Sequence, residues 1–360
     1  MEQQLRKKIL PVKYPAVTSW PSHAMLFTIL ESRKESQDWI YCNHIQTYSS
    51  KYSFPRYSNT NDAMFIYDYL PNTMNYLMCP WLNTQIINSE LIKMKFQDIN
   101  ELITVAINSD SYVYIVINEK YILGELLGPE ATWFHHHGLL IYGYDLDTRK
   151  YYVADFFRNK KYSFEEVSMD NISRGYADIP DGEEYSKGGT VLLKFNDSAT
   201  YNFDSELVKN DFNNYYNSTS NGLENLYRIS TTDNTIGVET INVGLSAYHL
   251  LYEYFPLVER NEVEFDMSNL HAIYDHKKLM HMRINFMLEN KYLKTDTSIL
   301  KEFGDIEHQA LQLRNLYIKY LLSNDSLLIK KAITICKQIE EKEQELMPIL
   351  IDGIICTTKG

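Results

Sequence analysis

Residues 135–155 read His-His-His, then Gly-Leu-Leu-Ile-Tyr-Gly-Tyr-Asp, then a turn at 146–150, then Tyr-Tyr-Val-Ala-Asp. A histidine run leads straight into an apolar strand, and a second apolar strand returns to close on Asp155. Neighbouring antiparallel strands lie about 5 Å apart. The hairpin therefore carries Asp155 back to the edge where His137 stands. An imidazole with a carboxylate beside it is a base with its orienter: the carboxylate selects the tautomer and stabilises the imidazolium. His135 and His136 are expected at the rim of this edge. Adjacent histidines in an extended segment point to opposite sides, so His135, His136 and His137 are poorly arranged to share an ion. No His-Glu-x-x-His or comparably spaced pair is present, and His23 stands far off in sequence. No metal and no cofactor is expected.

The elements that must hold this hairpin are also legible. Residues 112–117 (Tyr-Val-Tyr-Ile-Val-Ile) and 190–195 (Thr-Val-Leu-Leu-Lys-Phe) read as buried strands, with an early strand around 9–12. Residues 19–32 predict a helix: Ser19 or Ser22 can cap it, Pro21 suits its first turn, and Met25, Leu26, Ile29 and Leu30 give it an apolar face. Residues 99–107 predict another, 39–48 are short, apolar and aromatic, and 49–85 predict loops with short elements. A helix first and a sheet afterwards make residues 1–200 an α+β domain. From 204 onward the pattern changes, with amphipathic helices over 239–255, 270–291, 300–322 and 327–346. Residues 201–360 are therefore assigned to an all-helical region, with 217–235, rich in Ser, Thr and Asn, as linker or long loop.

Bulk properties exclude several functions. A net charge of −12 argues against general nucleic-acid binding. Neither a Walker loop nor a Gly-x-Gly-x-x-Gly run is present. Cys42, Cys79, Cys336 and Cys356 are too scattered for a zinc ribbon or a disulfide framework, and reduced thiols are expected. Without an apolar run of spanning length or a charged start followed by an apolar core, a soluble cytoplasmic chain is expected. The 29 tyrosines are expected in cores and interfaces. An acidic partner would need a local basic patch on so acidic a chain. One place for it is 271–283, where His271, His276, Lys277, Lys278, His281 and Arg283 cluster; a solvated helix surface with ordinary pairs such as His271/Asp275 is the plainer reading.

Two segments carry a resemblance. The block His137 to Asp145 followed by Tyr151 to Asp155, and the strand 112–117 running into Asn118-Glu119-Lys120-Tyr121-Ile122, resemble the papain-like N-terminal domain of butirosin-type (butirosin biosynthesis protein H) acyltransferases. They are more distantly similar to bacteriocin-processing papain-like peptidases. The resemblance covers roughly residues 15–195 and implies a papain-like fold, an N-terminal helix plus an antiparallel sheet, with His137 as catalytic base and Asp155 as its orienter. It further implies a nucleophile at the start of the first long helix, where the positive helix end lowers a thiol pKa. There this chain reads Ser19-Trp20-Pro21-Ser22-His23-Ala24, without a cysteine. Ser22 is nearest the expected place, and Cys42 is the nearest thiol in sequence.

The activity implied is acyl or peptidyl transfer that forms an amide bond during nonribosomal peptide assembly. The donor would be a phosphopantetheine-bound thioester on a carrier protein and the acceptor an amine. His137 would act on Ser22, on Cys42, or directly on the incoming amine. The helical region would serve as lid or carrier-docking surface. The alternative is a non-catalytic relative of the same fold that binds a carrier protein, a peptide or a metabolite. Proteolysis ranks last, because the resemblance is closer to the acyltransferase branch.

Overall fold

The computed structural model describes residues 5–53, 63–69, 75–131, 136–158, 161–179, 190–219, 241–260, 262–263 and 266–356. It is an α+β chain with an antiparallel sheet and a C-terminal helical region. Among these residues no helix is long and apolar enough to cross a membrane. The chain divides into two compact units, each assembled from separated segments.

The first unit comprises Met1–Pro15, Pro21–Gln37 and Thr73–Tyr201. Its strands, labelled in chain order, are β1 (Lys7–Ile9), β2 (Leu82–Ile87), β3 (Ser111–Asn118), β4 (His136–Asp145), β5 (Lys150–Phe156), β6 (Tyr162–Ser168) and β7 (Thr190–Phe195). They form one sheet in the order β2-β7-β3-β4-β5-β6, all pairs antiparallel, with β1 pairing with part of β4. β3 and β4 are buried over most of their length, as their unbroken apolar runs require. The early strand ends at Ile9, short of the expected Val12. Leu10 still donates to the Tyr142 carbonyl, but Pro11 has no N–H to continue the ladder.

Four helices of this unit matter below: α1 (Pro21–Leu30), α2 (Ile99–Asn108), α3 (Lys120–Leu127) and α4 (Met169–Ala177). α1 is buried from Ser22 to Leu30, a helix enclosed on every side. Asp98 caps α2 by accepting the Asn100 N–H, and Ser168 caps α4 through Asp170. Residues 49–85, expected as loops with short elements, hold most of a strand at Thr47–Ser53, all of another at Ala63–Tyr69, and the first four residues of β2. The first of these reads Thr-Tyr-Ser-Ser-Lys-Tyr-Ser, which offers no apolar alternation to detect.

The second unit comprises Ala16–Trp20, Asp38–Asn72 and Asn202–Gly360. Thr47–Ser53 and Ala63–Tyr69 pair antiparallel, and Asn242–Val243 adds a third short strand. The helices are α5 (Ser205–Tyr216), α6 (Tyr248–Glu259), α7 (Ser268–Glu289), α8 (Ser298–Ser323) and α9 (Ser326–Gly353), with α8 packed on both α7 and α9. The helix expected from 239 begins only at Tyr248. Gly244 stands at φ +59 with the Tyr215 carbonyl 2.2 Å from where a Cβ would be, which forces a turn before the helix can start. Residues 220–235 of the expected linker lie outside the described residues. α8 and α9 meet at a tight turn. Asn324 takes the left-handed C-cap conformation, and Asp325 caps the next helix through the Leu327 N–H at 3.0 Å.

The core of this unit overturns one expectation. Asp275, His276, Lys277 and Arg283 are buried, so 271–283 is not a docking face. Lys277 Nζ donates to Glu343 Oε1 at 2.8 Å, to the Tyr215 hydroxyl at 2.8 Å and to His276 Nδ1 at 3.1 Å. Glu343 also accepts from the hydroxyls of Tyr215 and Tyr248. Arg283 donates to the carbonyls of Tyr41, Asn43 and His44. Charge is tolerated here because every donor of the lysine has a partner.

Candidate active site at the end of the sheet

β3 and β4 pair with Asn118 opposite His136 and Ile117 opposite His137. β4 and β5 pair with Leu140 opposite Ala154, so Asp155, one step on, returns within two residues of the level of His137. Nδ1 of His137 lies 2.6 Å from Oδ2 of Asp155, the hydrogen bond expected from the hairpin alone. Asp155 is 3 % exposed, whereas the His137 side chain keeps 21 % of its surface open.

A third group completes the site. Glu119 follows β3 directly, and one oxygen of its carboxylate, a ring nitrogen of His137 and an oxygen of Asp155 all lie within 4.8 Å of one another. Its position is fixed from both sides. Asn118 Oδ1 accepts the Lys120 N–H at 3.3 Å, while its Nδ2 donates to Asp178 Oδ2 at 3.0 Å. The Tyr121 hydroxyl and Lys120 Nζ bind the same Asp178 oxygen, at 3.0 and 2.5 Å, and hold this carboxyl below its usual range. Asp178 terminates α4, so the start of α3 is pinned to the end of α4. α4 approaches closely because Gly175 has no side chain: a Cβ there would sit 2.8 Å from the Asn118 carbonyl.

Gly138, next to the histidine, is needed for a similar reason. The Tyr114 ring covers it, and a Cβ on Gly138 would fall 1.9 Å from the Tyr114 hydroxyl. Burial, with smaller contributions from the charge of Asp155 and from Tyr76, pushes the Tyr114 phenol pKa upward, so it stays a neutral donor. Phe156 meets the His137 ring edge-on at 6.3 Å.

Burial alone would lower the His137 pKa. The charge and hydrogen bond of Asp155, with the charge of Glu119, reverse this and raise it to about 9. At neutral pH the ring is an imidazolium between two carboxylate side chains, and it becomes a base as pH rises toward 9. One imidazole nitrogen and two carboxylates are also a donor set for a divalent cation. The 2.6 Å Nδ1–Oδ2 contact is a hydrogen bond, however, so an ion held by both atoms would have to displace its proton.

The other sequence candidates are placed as follows. Ser22 lies in the first turn of α1, and its buried Oγ makes no hydrogen bond among the described residues. It is therefore not hydrogen-bonded to His137. Cys42 belongs to the second unit, where it is fully buried and its Sγ accepts the Asp204 N–H at 3.1 Å. His136 is half-buried, and His135 lies outside the described residues. Glu119 was visible as an acid in the strand-to-turn segment, but its role depends on a pairing between segments 18 residues apart in sequence. Comparison with protein-family models finds no match, and neither does comparison with curated proteins.

Proposed function

We propose that this chain is a papain-like acyltransferase that forms an amide bond from a carrier-protein-bound acyl or peptidyl thioester in the assembly of a specialised peptide metabolite. The observation that carries the reading is the 2.6 Å bond between His137 and Asp155, buried on one side and open on the other. Asp155 holds Nδ1, so Nε2 is the nitrogen through which a proton moves.

Among the described residues no base contacts the Ser22 hydroxyl, and Cys42 is enclosed in the second unit. This favours direct attack. The neutral amine adds to the thioester carbonyl, the C–N bond forms and the C–S bond breaks. His137 takes the proton that the amine sheds and returns it to the leaving thiolate. A thioester is already activated, so positioning and proton transfer supply the acceleration. The charges of Asp155 and Glu119 favour the imidazolium that forms when His137 takes that proton.

The absence of a cysteine at the start of α1 favours a second reading, a non-catalytic relative that binds a carrier, a peptide or a metabolite. Intact-mass spectrometry with a panel of acyl-thioesters and an added amine separates the two. Direct transfer yields amide product and an unmodified protein. An adduct on Ser22 or Cys42 would mean a covalent route, and neither product nor adduct across the panel would favour the binding protein.

A further inference from the structure

From His308 to Ile339 the chain carries five basic side chains (Arg314, Lys319, Lys330, Lys331 and Lys337) and one carboxylate, Asp325. This is the α8–α9 hairpin of the second unit, on a chain whose net charge is −12. The segregation is structural as well as sequential. Lys319 on α8 and Lys331 on α9 line one groove of about 420 Å³, whose floor includes the half-buried apolar side chains of Leu316 and Ile335. Both lysines are exposed, and neither forms an ion pair among the described residues. At the hairpin tip beside them, Leu321, Leu322 and Leu327 are 58, 84 and 60 % exposed.

Exposed leucines at such a turn are not needed for the fold. The turn is closed by the Asn324 and Asp325 caps, and the core side of the helices is filled by residues such as Leu313, Tyr317, Tyr320 and Ile329. Exposed helix lysines are ordinarily interspersed with acids three or four residues away, as Lys337 is with Glu340 and Glu341, and Lys330 pairs with Glu259; Lys319 and Lys331, which wall the groove, have no acid at any of these positions. An apolar floor walled by cations is complementary to an amphipathic helix with acidic flanks. The rest of this acidic chain repels such a partner, so the field itself directs it to the hairpin.

We infer that the α8–α9 hairpin is a docking surface for an acidic amphipathic helix of a partner protein. This goes beyond the acyl-transfer reading and does not depend on it. The test uses the full chain and a fluorescent peptide of about 20 residues, Leu on one face and Glu or Asp elsewhere, read by anisotropy. The wild type binds this peptide, and added salt weakens the binding. Lys319→Glu with Lys331→Glu weakens it roughly tenfold or more, and Lys319→Arg with Lys331→Arg retains it. Leu322→Ser with Leu327→Ser also weakens it without changing the salt dependence. Circular dichroism confirms that these exposed substitutions leave the fold intact. Equal binding by wild type and the double glutamate variant would overturn the inference, as would equal binding of a Lys-for-Glu peptide. So would binding of anionic phosphatidylglycerol vesicles but not of the peptide, or self-association that the glutamate variant abolishes.

Discussion

The carboxylate of Glu119, directly after β3, and the imidazole of His137, near the start of β4, come within 4.8 Å of each other, with Asp155 in the same cluster. Against burial, which lowers it, the charge and hydrogen bond of Asp155 and then the charge of Glu119 raise the His137 pKa to about 9. The consequences for stability and turnover can be measured.

His137 couples protonation to stability. Its folded pKa lies above the unfolded value near 6.5, so the contribution is complete below about pH 6.5 and lost as pH rises through about 9. Urea unfolding of the wild type is expected to show a loss of up to about 3 kcal/mol across that window. In His137→Gln the decline over the same pH range should disappear.

Glu119→Gln removes one of the two charges and leaves the His137–Asp155 hydrogen bond. The ascending limb of the pH–rate profile should move down by about one unit, with turnover retained. Asp155→Asn takes away the orienter and the larger charge, and turnover should fall by a factor of about 10³ to 10⁴. A structural role alone for Glu119 would leave the limb where it is.

Ser22→Ala deletes a buried hydroxyl with no hydrogen-bond partner among the described residues. Stability should be unchanged or slightly higher, because an unsatisfied polar group leaves the interior. Direct attack on the thioester further requires that turnover be unchanged. A large loss of turnover in a folded Ser22→Ala protein would restore serine as the nucleophile.

Much of this site was legible in the sequence because a hairpin is local. The apolar strand after His137, the turn and the strand closing on Asp155 together fix a register, and the pair follows from it. Glu119 was not legible as a partner. It approaches through the β3–β4 pairing, whose strands are joined through α3 and not by a tight turn, and through the Asn118–Asp178 anchor, which spans 60 residues. The hairpin at Thr47–Ser53 escaped for a different reason, since its polar pattern carries no period of two. Residues 275–283 misled in the opposite direction. Charged residues read as surface, yet Lys277 is buried because Glu343, 66 residues away, is buried against it.

That pair yields a prediction of its own. Lys277→Met leaves Glu343 with only tyrosine donors in the core and should destabilise the protein by about 3–5 kcal/mol. The double variant Lys277→Met with Glu343→Leu should recover most of the loss. Chemical denaturation of the four proteins in the cycle measures the coupling.

Packing over the site is testable at Gly138. An alanine there meets the Tyr114 hydroxyl and ring, so Gly138→Ala should destabilise by about 1–3 kcal/mol. Adding Tyr114→Ala makes room for the methyl group, so the cost of Gly138→Ala should largely vanish in that background.

The most direct test is the rate of amide formation from an acyl-thioester and an amine, measured from pH 6 to 10 (about the range that brackets the raised pKa) for wild type and His137→Gln. The wild-type rate should climb with pH and level near 9, and the variant should be slower by roughly 10² or more with no such limb. A His137→Gln protein that turns over at the wild-type rate, with the same pH dependence, would contradict the role of His137 as the base.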